Sequence, residues 1–80
     1  MGLSGYIHLA LERARYKILD NRTYFGEIPG LKGVWAEGKN LEACREELQE
    51  VLEDWIILKL RDGDALPKID GHTIKIPAHA

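Results

Sequence analysis

Between Asn40 and Asp62 the apolar residues Leu41, Cys44, Leu48, Val51, Leu52, Trp55, Ile56 and Leu60 recur at helical spacing, with six acids among the other positions. That periodicity predicts one helix of about six turns, opened by Asn40 as its cap and stopped by Asp62-Gly63. In an 80-residue chain so long a helix dictates the architecture, because its greasy stripe must lie on something wide and flat. The remaining sequence supplies a sheet. Tyr16 and Ile18 alternate with Arg15 and Lys17, Asp20-Asn21-Arg22 carries turn chemistry, and Thr23 to Ile28 forms a second strand. Pro29-Gly30 and Lys32-Gly33 break the chain twice before a third strand at Val34 to Glu37.

Leu3, Ile7, Ala10, Leu11 and Ala14 predict a short amphipathic helix beginning after Ser4, assigned to the sheet face left bare by the long helix or to an oligomer contact. Leu66-Pro67 opens a linker, and Thr73 to Ile76 alternates as a short last strand that Pro77 terminates or confines to an edge. The expected fold is α+β: a short N-terminal helix, a three-stranded antiparallel meander, a long helix packed on the sheet and a short final strand. Residues 1–80 are expected to form a single domain. Cys44 alone cannot close a disulfide within the chain, so self-association into a dimer or tetramer is the expected extra support for so small a core.

Chemistry is sparse. His8, His72 and His79 stand at no metal-ligand spacing from one another or from Cys44. Cys44 falls on the apolar stripe of the long helix as a small buried hydrophobe, and no Gly-Lys-Ser/Thr follows the glycines to make a phosphate loop. Neither metal nor cofactor is expected, and the chain is read as a binding protein, not an enzyme. Its net charge of -2 speaks against direct nucleic-acid binding, which leaves a basic footprint. Its longest apolar run, Trp55 to Leu58, is too short for a membrane span, and the expected location is cytoplasmic.

One feature stands above this background. Between Glu42 and Asp54 there are six acids against Arg45 alone, a net charge of -5 that leaves +3 for the rest of the chain. Glu42, Glu46, Glu50 and Asp54 follow one another at i,i+4, which disfavours an isolated helix. Two readings stay open: a solvated face that confers solubility, or an acidic surface that attracts a basic protein. The strand aromatics Tyr24, Phe25 and Trp35 likewise serve either as hydrophobic filling or as the mark of a second buried surface.

The run Gly26-Glu27-Ile28-Pro29-Gly30-Leu31-Lys32-Gly33-Val34-Trp35-Ala36-Glu37-Gly38, then a capped helix with Leu48, Leu52 and Trp55, then Gly63 and Pro67, resembles the HicB-like antitoxin domain over about Arg15 to Pro67. The resemblance implies a degenerate ribonuclease-H-like domain that leaves RNA intact and neutralises HicA, a small basic toxin that cleaves messenger RNA. Asn40 stands where the family usually has Thr or Ser, and Lys32 replaces a frequent proline. A DNA-binding domain follows in many members, so operon self-repression is not expected of a chain ending at Ala80. Under this reading the partner-binding residues are Glu46, Glu50, Asp54, Phe25 and Glu27. The alternative is a stand-alone HicB-like oligomeric interaction or ligand-binding domain with no toxin.

Overall fold

A computed structural model describes residues 2–69. The order is α1 (Leu3–Glu12), β1 (Arg15–Ile18), β2 (Tyr24–Glu27), β3 (Trp35–Gly38) and α2 (Leu41–Arg61). The strands form an antiparallel meander β1-β2-β3, with Arg15 opposite Glu27 and Glu27 opposite Trp35. This is the α+β layout expected from the sequence; the strand expected at Thr73 to Ile76 lies outside the described residues.

The α2 helix is closed at both ends by its own sequence. Asn40 Oδ1 accepts a hydrogen bond from the Ala43 backbone N–H at 2.7 Å, satisfying a donor that the first turn leaves free. At the other end Gly63 takes φ +75, its N–H bonding to Leu60 and that of Asp64 to Lys59, the paired bonds of a Schellman stop. Cys44, Leu48, Leu52 and Ile56 are buried against β2 and β3, while Leu41 is exposed and Trp55 lies half-buried at the rim under Lys59. At about 1.5 Å per residue the helix spans roughly 31 Å, more than twice the roughly 13 Å of a four-residue strand. The overhanging half rests on Ile28, Leu31, Val34, Leu66 and Ile69, which join the strand residues in one core.

Two glycines let the helix approach the sheet. A Cβ on Gly38 would overlap the Cys44 backbone nitrogen, and one on Gly26 would lie 2.8 Å from the Tyr16 ring and 3.1 Å from Cys44 Sγ.

Several details differ from the sequence expectations. Helix α1 starts at Leu3, so Ser4 lies within it; Gly2 occupies the cap position with no side-chain bond. Its buried residues are Tyr6 and Ala10, whereas Leu3 is exposed. It packs beside α2 in the common core and leaves the far sheet face bare, because Tyr6 can be buried only where its hydroxyl finds an acceptor. That acceptor is the Pro67 carbonyl at 2.5 Å, which makes the expected linker at Leu66-Pro67 a packed part of the core. Strand β3 begins one residue later than expected, since Val34 closes a turn instead, its N–H bonding to the Leu31 carbonyl. Ile18 is 63% exposed, on a strand that α2 does not cover.

Burial raises the Tyr6 pKa above its ordinary 10.0. The folded state therefore holds the proton after the unfolded chain has released it. The associated stability is intact below about pH 10 and is lost as pH rises through the folded value. Tyr6→Phe is expected to cost about 1 kcal/mol at neutral pH, where the bond to Pro67 disappears, and to flatten the alkaline decline. Urea midpoints of both proteins from pH 7 to 11 read the two effects separately.

Candidate functional site

Chemistry-bearing side chains gather on two opposed surfaces. On the solvent side of α2, Glu42, Glu46, Glu47, Glu50 and Asp54 are exposed and Glu53 is half-exposed. The four at i,i+4 spacing form a shallow spiral along the helix. Among the described residues none of the six takes part in an ion pair; the one polar contact is from Gln49 Nε2 to Glu53 at 3.3 Å. Arg45, the lone cation in this stretch, lies beside the Tyr16 phenol, whose pKa is raised by burial and partly lowered again by that guanidinium. With Arg45 beside Glu42 and Glu46, the ridge keeps its net charge of -5. At its foot a groove lined by His8, Leu11, Glu12, Tyr16, Glu42, Arg45, Glu46 and Gln49 separates α2 from α1 and β1. Within it His8 Nε2 lies 3.0 Å from Glu12.

The second surface is the sheet face turned away from α2. Strand alternation sends Tyr16, Tyr24, Gly26 and Ala36 toward the helix and Arg15, Lys17, Phe25, Glu27, Trp35 and Glu37 outward. Phe25 and Trp35 sit diagonally on neighbouring strands with ring centroids 5.9 Å apart and planes 25° from parallel, and Lys17 Nζ lies 5.2 Å from the Phe25 centroid. Trp35 is 54% exposed. No described residue covers this face.

The five residues expected to contact a partner thus divide. Glu46, Glu50 and Asp54 share the ridge, whereas Phe25 and Glu27 lie on the other side of the molecule and cannot join them against one compact partner surface. Trp35, one of the strand aromatics weighed as the mark of a second surface, completes this face together with Arg15, Lys17 and Glu37, which the sequence does not single out, although the register Arg15 opposite Glu27 follows from the length of the hairpin turn.

Cys44 is fully buried, its thiol donating to the Ala36 carbonyl at 3.7 Å. Burial, with a smaller contribution from Glu37, pushes its pKa up, the opposite of an activated nucleophile. Among the described residues no group of three or more His, Cys, Asp or Glu side chains could hold a metal ion, and no helix is long and apolar enough to cross a membrane.

A family model described as UPF0150-like matches residues 5–67. The crystal structure of TTHA0281 from Thermus thermophilus is similar to this chain with a TM-score of 0.91 and 43% sequence identity, over 96% of this chain and 98% of that one. No curated protein matches.

Proposed function

This chain belongs to the UPF0150-like family, and on that premise we propose that it is an antitoxin-type protein that binds and neutralises a small basic HicA-type toxin, a ribonuclease of messenger RNA. The observation that carries this reading is the α2 ridge, six acids with no ion pair among the described residues. Repulsion at i,i+4 makes such a spacing slightly costly for the free helix, and a cationic partner relieves it. The protein performs no bond-making of its own: it occludes the ribonuclease by shape and charge, and long-range attraction brings the two together quickly. Its place of action is the cytoplasm, where the toxin meets its RNA.

The resemblance of Gly26 through Gly38 to HicB-like antitoxins supports the same reading. Lys32, which stands where that family often has proline, occupies the second position of a tight turn, a place that proline favours but does not require. In a test with a purified HicA-type ribonuclease, RNA cleavage is expected to end once the chain is in molar excess. Cleavage that continues undiminished refutes the proposal.

A further inference from the structure

We propose that the open sheet face docks a second copy of this chain, sheet against sheet, about a two-fold axis parallel to β2. Viewed across the strands from β1 to β3, one row of this face reads Arg15, Glu27, Trp35 and the next reads Lys17, Phe25, Glu37. The β1 column is basic, the β3 column is acidic and aromatic, and the two cations balance the two acids. A half-turn about β2 exchanges the outer columns and keeps the rows. Lys17 of each copy then faces Glu37 of the other, Arg15 faces the Trp35 ring, and the Phe25 rings meet at the axis. By the same operation Glu27 faces Glu27 of the other copy across the axis, and the Arg15 opposite it on each sheet offsets that repulsion.

An interface of this kind is isologous: one patch serves as both donor and receiver, which is the requirement a closed dimer imposes. Packed sheets stand about 10 Å apart, room for Phe25 and Trp35 to interdigitate. The charge distribution excludes the obvious alternative, because two α2 ridges at -5 each repel one another. Sheet-to-sheet docking places these ridges on opposite outer sides of the dimer, each free for a basic partner. The inference does not depend on the identity of that partner.

Sedimentation equilibrium of the full chain tests it. The 9.1 kDa chain is expected to behave at twice that mass. Lys17→Glu or Glu37→Lys alone sets like charges against each other and weakens the dimer on the order of a hundredfold. An equimolar mixture of the two variants restores it as a heterodimer, because every reversed charge then meets its opposite. Both sites are exposed, and circular dichroism of each variant alone reports that it is folded. A wild-type chain that stays at 9.1 kDa overturns the proposal. So does a dimer indifferent to both substitutions and to Trp35→Ser, or a mixture that fails to associate. Loss of toxin neutralisation would leave these readings unchanged, since none involves the toxin.

Discussion

Gly38→Ala is expected to lower the stability of this protein by about 3 kcal/mol, the upper range for forcing an extra methyl into a packed interior. The added Cβ would overlap the Cys44 backbone nitrogen and meet its Cα at 2.7 Å and the Ala43 carbonyl carbon at 2.9 Å. All three belong to the first turn of α2, so no rotamer change relieves the clash and the helix must lift from β3. Lifting it draws Cys44 and Leu48, both completely buried, away from the sheet. Gly26→Ala is the internal comparison. Its shortest contacts, 2.8 Å, are to the Tyr16 ring, a half-buried side chain that can swing aside, and it should cost about 1 kcal/mol. Urea midpoints of the two variants decide the order, and equal losses would show that the helix-to-strand approach is softer than the distances imply.

The triple substitution Glu46→Lys, Glu50→Lys, Asp54→Lys should slow association with a basic partner on the order of a hundredfold at low salt. All three side chains are exposed and outside the core, so stability should change by no more than about 1 kcal/mol. The difference in rate should shrink as salt screens charges beyond a Debye length of about 8 Å at physiological ionic strength. Stopped-flow mixing with a HicA-type toxin, the proposed partner, over a range of salt concentrations gives both quantities. An unchanged rate would move the docking surface off α2.

The helix from Leu41 to Arg61 was legible in the sequence because its cap, its period and its glycine stop agree. The hairpin was legible for a similar reason: Asn21 Oδ1 accepts from the Thr23 N–H and hydroxyl, a local bond that needs no distant partner. What escaped depended on contacts between distant segments. Tyr6 is completely buried because Pro67, sixty-one residues away, offers its carbonyl, and no periodicity within α1 announces that bond. The same contact ties α1 to the α2 side of the sheet and thereby leaves Trp35 exposed and Phe25 half-buried on the other. The acidic ridge was readable residue by residue, since spacing alone sets a helix face. Its separation from Phe25 and Glu27 was not, because opposite sides of a molecule exist only once helix and sheet are stacked.

The crossing from β2 to β3 is two tight turns in tandem, Leu31 bonding back to Ile28 and Val34 back to Leu31, with Gly30 and Gly33 at φ +88 and +87. Its three apolar residues, Ile28, Leu31 and Val34, are all buried beneath the overhang of α2. A connection of this kind behaves as a wedge under the helix, so it is the wrong place to splice in a tag or an epitope. The exposed bend at Asp20 to Arg22 bears no such weight, and a reporter peptide grafted there leaves both flat sides of the molecule available.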